Sequence, residues 1–253
     1  MTYDEDALDG NIGPLVTHMT LIPDDRVQRM YRVRVALFLI CTVLLLLLLS
    51  YFYQGHQTLN VLDQIERDRD QWQRPSDVIQ ALNLHEGSVV VDFGSGVGYF
   101  TLKLSSLVGK NGGVVAEDIR QESLVFLRIR AFLRDQLNLK TIRGETDDPR
   151  LPAGFADAVL IATTYHELTA PKLILHHLAD SLKPGGRLVI VDRGPRSGAV
   201  ESRETQTEHH ELRPDLVETE VRSAGFEIIS RQDRFIDRPV DDQVWWLIVT
   251  RKL

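Results

Sequence analysis

From Val89 to Phe100 the chain reads Val-Val-Val-Asp-Phe-Gly-Ser-Gly-Val-Gly-Tyr-Phe, an apolar run that breaks into glycines at alternate positions. Glycines so placed let the backbone take positive φ and bring its amide N–H groups against a ligand with no Cβ in the way. At the carboxyl end of a first strand, such a turn is how an α/β fold holds a nucleotide-like cofactor. The dinucleotide fingerprint wants Gly-x-Gly-x-x-Gly. Here Gly94, Gly96 and Gly98 bring the third glycine one residue early, and Asp92 stands two residues before the first. The spacing argues against a nicotinamide cofactor and for a smaller nucleoside-bearing one.

The elements around this turn alternate. Pro75-Ser76-Asp77 opens a short helix through Leu82. A strand Ser88 to Phe93, the glycine turn and a helix from Tyr99 to Leu107 follow, then a strand Val114 to Ile119 and a long helix Glu122 to Leu137. Further strands are expected at Lys140 to Gly144, Ala156 to Ala162 and Arg187 to Asp192, with a helix Pro171 to Leu182 between the last two. This is a βαβ series building a parallel sheet. After Asp192 the order changes to a helix Pro214 to Ala224 and two final strands, Phe226 to Arg231 and Val244 to Arg251. A terminal antiparallel pair is foreign to the six-stranded dinucleotide fold.

The formal charge of −7 leaves no dense basic face to displace counterions, so a nucleic-acid partner is not expected. Arg128, Arg130 and Arg134 read as the solvated face of a helix. The single cysteine, Cys41, rules out an intramolecular disulfide or a thiolate metal cluster. It lies in an uncharged stretch, Val35 to Tyr53, whose 19 residues make roughly 28 Å of helix, enough to span a bilayer. The expected organisation is an acidic tail and basic segment over 1–34, a transmembrane helix over 35–53, a juxtamembrane helix or linker over 54–71 and a catalytic domain over 72–253. No small-x-small cleavage site follows Ser50, which favours an uncleaved single-pass anchor. Arg26, Arg29, Arg32 and Arg34 before the span place the carboxyl domain outside by the positive-inside rule.

Residues 72–253 resemble a class I S-adenosylmethionine-dependent methyltransferase in three blocks: Asp92 to Gly98, Val115-Ala116-Glu117-Asp118-Ile119, and Leu182-Lys183-Pro184-Gly185-Gly186-Arg187-Leu188. The resemblance implies an α/β, Rossmann-like seven-stranded sheet, mostly parallel with a terminal antiparallel pair, preceded here by one transmembrane helix. It also implies S-adenosyl-L-methionine as cofactor, a molecule made in the cytosol, so cofactor supply and the charge rule point to opposite sides of the membrane. In this reading the amides of Gly94, Ser95 and Gly96, with Gly98 closing the turn, approach the methionine portion, and Asp92 faces the cofactor's amino group. Asp118 accepts from both ribose hydroxyls, because a carboxylate offers two acceptor oxygens. Glu117 falls on the other strand face, and Ile119 packs on adenine. At the third strand's end, Glu145 or Asp147, beside Thr146, meets the adenine amino group or serves only as a turn-forming acid ahead of Pro149.

The fourth strand runs out into Thr163-Thr164-Tyr165-His166-Glu167, where the donor methyl should point, with Thr163 expected against the cofactor. His166 with Tyr165 is the candidate reaction centre, as general base or as walls of the acceptor pocket; packing or helix capping is the alternative. Adjacent His166 and Glu167 diverge on a turning chain, and no metal is expected. His209 and His210 lie in the segment after the fifth strand, which often covers the acceptor. The chemistry asked of the protein is modest, since proximity supplies much of the acceleration and a base is needed only where the acceptor must lose a proton. No Pro-Pro-Tyr/Phe motif for amino-group methylation follows the fourth strand, and no cysteine stands in the domain for cytosine C5 chemistry. The expected acceptor is a small molecule or lipid rather than a protein. The competing reading is a membrane-tethered S-adenosylmethionine-binding protein without turnover.

Overall fold

The computed structural model describes residues 25–196 and 201–253; the acidic amino-terminal stretch read as a tail lies outside the described residues except for its end. The chain divides into two compact units between Leu62 and Asp63. In the first, helix α1 (Asp25–Trp72) begins, and none of its residues is buried. Its apolar portion is long enough, by length and composition, to cross a bilayer. Span and juxtamembrane segment, expected as separate pieces, are one uninterrupted helix, because no Pro or Gly pair breaks the ladder near Gly55.

The second unit starts at Asp63, nine residues before the expected boundary at Trp72. The last turns of α1 are pinned there by charge. Arg134 bonds Asp63 at 2.7 Å, Arg130 bonds Glu66 at 2.7 Å, and Tyr99 donates its hydroxyl to Asp70 at 2.7 Å. Helix α2 (Pro75–Ala81) follows, opened by proline at a position whose N–H would be unpaired in any case.

One seven-stranded sheet organises the rest, in the order β3-β2-β1-β4-β5-β7-β6. Its strands are β1 (Val89–Phe93), β2 (Gly113–Asp118), β3 (Leu139–Arg143), β4 (Ala156–Ala162), β5 (Leu182–Gly194), β6 (Phe226–Arg238) and β7 (Gln243–Lys252). β1 to β5 are parallel; β7 runs antiparallel to both β5 and β6. β1 and β4 are apolar but for Asp92 and Asp157 because both sheet faces are covered, and Val90, Val91, Val159, Leu160 and Ile161 are fully buried. Helices α3 (Tyr99–Val108), α4 (Gln121–Leu133), α5 (Pro171–Ser181), α6 (Arg203–Glu208) and α7 (Pro214–Ser223) complete the unit.

Three details depart from the sequence reading. α4 stops at Leu133 rather than Leu137, since Asp135 takes φ 55° and cannot continue a helix. Arg130, read as solvated, is 1% exposed. Its guanidinium bridges Glu66 and the Val97 carbonyl, and those partners are what allow a charge inside. β5 and β6 each run to 13 residues, longer than the apolar runs that announce them: β6 is carried on to Arg238 by pairing with β7, and β5 gains Leu182 from pairing with Ala156 of β4 and its end at Gly194 from β7.

Candidate functional site

The order of strands reverses between β1 and β4: the chain passes from β1 to β2 and β3 on one side and returns to β4 and β5 on the other, and a crevice opens at such a point beyond the strand carboxyl ends. A cleft of about 470 Å³ lies there. The glycine turn forms its floor. Gly94 (φ 69°), Gly96 (φ 53°) and Gly98 (φ 95°) all sit in the left-handed region. A Cβ on Gly94 would run into Thr164, and one on Gly98 into Leu127 of α4, whereas one on Gly96 would meet nothing within 4 Å. Two glycines thus serve close packing, and the middle one leaves open space in the cleft.

Backbone donors lock the turn to the end of β2. The Ser95 N–H donates to the Glu117 carbonyl at 2.8 Å, and the Gly96 N–H to Asp118 Oδ2 at 2.8 Å. Asp118 Oδ1 accepts the Arg120 N–H at 2.8 Å. Glu117 also reaches the cleft, but at its floor beneath Gly94 and Gly144, where a Cβ on Gly144 would collide with its carboxylate. Ser95 Oγ and Glu117 Oε1 are buried without a partner. Asp92 is also buried and accepts from the Thr101 hydroxyl. Burial pushes Asp92 up to about 7, against the hydrogen bonds from Thr101, and Glu117 up to about 8, with the neighbouring carboxylates adding to the rise.

Of the residues singled out in the sequence, Asp92, Gly94, Ser95, Gly96, Asp118, Ile119, Glu145, Thr146 and Thr163 line this cleft together. Gly98 caps α3 behind it. Glu145 lines the wall and pairs with Arg150; Asp147 is not among the lining residues. Thr163 holds φ 60°, a costly conformation for a β-branched residue, and its N–H donates to Val191 at 2.9 Å.

Tyr165 and His166 are placed differently. Both belong to a 3-10 turn, Tyr165–Glu167, and both are buried outside the cleft. The Tyr165 hydroxyl donates to Glu220 on α7 at 2.7 Å, and Glu220 also holds Arg203 at 3.0 Å. His166 Nδ1 lies 2.8 Å from Asp192 Oδ1, while the His166 backbone N–H donates to Asp192 Oδ2 at 3.0 Å. Its other ring nitrogen, Nε2, is 3.8 Å from Glu167, and the His210 ring stands edge-on at 5.4 Å. Glu167, with Leu168 and Thr169, does line the cleft. Sequence reasoning paired Glu167 with His166 only as a metal motif and passed over Arg69 of α1, another lining residue. The one sign of Arg69 in the sequence was its place on a helix entering the domain.

These residues fit a nucleoside-bearing, cationic cofactor. The turn offers open space at Gly96, an unpartnered Ser95 hydroxyl stands beside it, and three acidic side chains converge from β1 and β2. Comparison with known proteins agrees. Residues 90–186 match the family model of a methyltransferase domain. The chain is 29% identical over 123 residues to a ubiquinone/menaquinone biosynthesis C-methyltransferase of Azotobacter vinelandii, covering 48% of this chain and 49% of that one. It thus spans about half the length of the curated relatives it matches. In structure it is similar to a SAM-dependent methyltransferase from Aquifex aeolicus, with TM-score 0.60 and 23% identity, over 71% of this chain and 89% of that one. A [4+2]-cyclase, SpnF, shares the fold with TM-score 0.61 and 17% identity, over 71% and 80%.

Proposed function

Because the chain carries a class I S-adenosylmethionine-dependent methyltransferase domain, we propose that it methylates a small lipophilic, ring-bearing acceptor of the quinone-precursor kind, held at a membrane by residues 35–53. One observation carries the reading of the acceptor. The stretch similar to the ubiquinone/menaquinone C-methyltransferase covers 48% of the chain, and the family match at 90–186 encloses most of the cleft's lining. The apolar helix ahead of the domain suits an acceptor that partitions into lipid.

The cofactor supplies a methyl carbon already activated by its sulfonium. Asp118 would take the ribose hydroxyls, Asp92 would meet the ammonium group, and Ile119 with Glu145 and Thr146 would border the adenine. The turn Gly94 to Gly96 would border the amino-acid portion by close approach and the Ser95 hydroxyl, since its N–H groups, expected to face the ligand, are held by Glu117 and Asp118. The acceptor side falls to Thr163, Thr164 and Glu167. Methylation at a ring carbon needs an electron-rich ring, so a hydroxyl must give up its proton as the methyl moves, and the carbon attacked must then lose its hydrogen. Glu167 faces the cleft and can take the hydroxyl proton; as the methyl–sulfur bond breaks the cofactor would leave as its neutral thioether, and the hydrogen lost from the ring carbon returns a proton to the ring oxygen or solvent. The buried His166–Asp192 pair stands behind it at 3.8 Å and fixes the turn that presents it.

Purified full-length protein, given S-adenosylmethionine labelled on the methyl group and an extract of membrane lipids, should move label into an organic-soluble product whose mass rises by one methyl. Label in protein instead would replace the acceptor class. Cofactor binding with no transfer to any fraction would leave a tethered binding protein without turnover.

A further inference from the structure

The cofactor cleft has a wall that does not come from the methyltransferase match at residues 90–186. Arg69, on the last turns of α1, lines it together with Asp92, Ser95, Gly96 and Tyr99. Its guanidinium carbon lies 3.8 Å from the Tyr99 ring centroid, and its Nε donates to Gln73 at 2.7 Å. Among the described residues, no carboxylate pairs with it. The acids on the same helix are already engaged, Glu66 by Arg130 at 2.7 Å and Asp70 by Lys103 at 2.8 Å and by the Tyr99 hydroxyl. A half-buried guanidinium stacked on an aromatic ring, with its outer nitrogens free of any carboxylate, faces a cleft whose other lining arginine, Arg120, is paired with Asp118 at 3.5 Å.

Glu66, Asp70 and Asp92 favour its charge from nearby without an ion pair, and an anion bonded to the fork would offset the cost of burying it further. Burial already holds its pKa below the ordinary arginine value. Stacking on Tyr99 and the bond to Gln73 fix the plane of the fork, which leaves it pre-organised for a carboxylate. S-adenosylmethionine carries one carboxylate, on its amino-acid end. Asp118 enters the cleft from the end of β2 and Arg69 from the side of α3, so the nucleoside and amino-acid ends each have a charged partner on a separate element.

Resting on the reading of this cleft as a S-adenosylmethionine site, we propose that Arg69 binds the cofactor's α-carboxylate, so that the helix continuing from the apolar segment completes the cofactor site. Docking of residues 63–72 and cofactor binding then strengthen each other by linkage, each favouring the state the other needs.

Calorimetric titration of the full-length protein in detergent with S-adenosylmethionine and with its decarboxylated analogue tests this. Wild type should bind S-adenosylmethionine about tenfold or more tightly than the analogue, the range for a charge-assisted contact. Arg69→Ala should lose that discrimination, weakening S-adenosylmethionine about tenfold or more while leaving the analogue unchanged, and Arg69→Lys should restore part of it. Equal binding of both ligands by wild type would overturn the proposal without any variant. An equal loss for both ligands in Arg69→Ala would also overturn it, reducing Arg69 to a wall of the cleft. Failure of wild type to bind either ligand would instead bring down the cofactor reading itself.

Discussion

The two sides of the cleft are built by different kinds of bond. Around the glycine turn the partners are backbone groups. Ser95 and Gly96 donate their N–H groups to the end of β2, and Arg120 donates its own to Asp118. Across the crevice, from β4 onward, side chains meet side chains over long separations: His166 with Asp192, Tyr165 with Glu220, and Arg203 with Glu220. A backbone donor needs a particular conformation, which only glycine supplies cheaply, so residue type and spacing are dictated. A side-chain pair needs only complementary groups brought together by the fold, and many pairs would serve. The cofactor side is therefore written locally, and the acceptor side is written in tertiary structure.

Arg130 is the exception on the cofactor side, and its removal should have the largest effect. It ties Glu66 of α1 to the Val97 carbonyl inside the glycine turn. Arg130→Ala leaves Glu66 and that carbonyl without their cation, a change that costs about 3–5 kcal/mol when a buried pair is broken. Chemical denaturation should show the loss, and cofactor affinity should fall with it as the turn loosens. A loss under about 1 kcal/mol would mean that residues 63–72 are not held by this pair, and the cofactor side would be local after all.

The next effect is of pH on the cofactor-free protein. Asp92 and Glu117 titrate near 7 and 8 in the fold and near 4 in the unfolded chain, so the folded protein keeps protons that the unfolded one has released. Stability must then fall as pH rises from about 4 to about 8 and level off above, by up to about 1.4 kcal/mol per pH unit for each group. Cofactor cations favour the ionised carboxylates and should flatten that slope. Urea melts between pH 5 and 9, with and without S-adenosylmethionine, measure both; a stability that rises across this window would show that the two acids are solvated and ionised.

Asp118→Ala should weaken S-adenosylmethionine by about 1–3 kcal/mol through the lost charge-assisted contact. Calorimetry that finds Asp118→Ala neutral and Glu117→Ala weakened would move the ribose contact one residue along β2, against the placement of Glu117 beneath Gly94 and Gly144.

What could be read in advance follows the same division. The strand-turn-helix at Val89 to Phe100 and the acid ending β2 announce themselves, because apolar runs, alternate glycines and a strand-end carboxylate are local signals. Nothing local separates Arg130 from Arg128 or Arg134 on α4; only the approach of α1 from 64 residues away makes one of the three a buried bridge. Thr163 at φ 60° is illegible for a related reason, since its sequence favours a strand and the pairing of its N–H with Val191 imposes the left-handed turn. Tyr165 and His166 stood out as reactive types at the right strand end. Their burial depends on α7 and on the end of β5, which lie 55 and 26 residues away and leave Glu167 as the member of the run that faces the cleft.

The smallest effect on the cofactor should come from His166 itself. It touches no residue of the glycine turn or of the end of β2, and its bonds go to Asp192, toward Glu167 and against His210. His166→Ala should therefore leave S-adenosylmethionine affinity within about 0.5 kcal/mol, the spread of a change that makes no contact. Turnover should fall, because Asp192 loses its ring partner and the turn carrying Glu167 is no longer fixed. His166→Asn offers a test of mechanism, since its amide can still donate to Asp192 but carries no titrating ring. If His166 only positions Glu167, the Asn variant recovers much of the lost turnover; if the ring moves protons, both variants are equally slow. Loss of cofactor affinity as the main defect in either variant would erase the division between the two sides of the cleft, because it would show the acceptor-side pair acting on the donor.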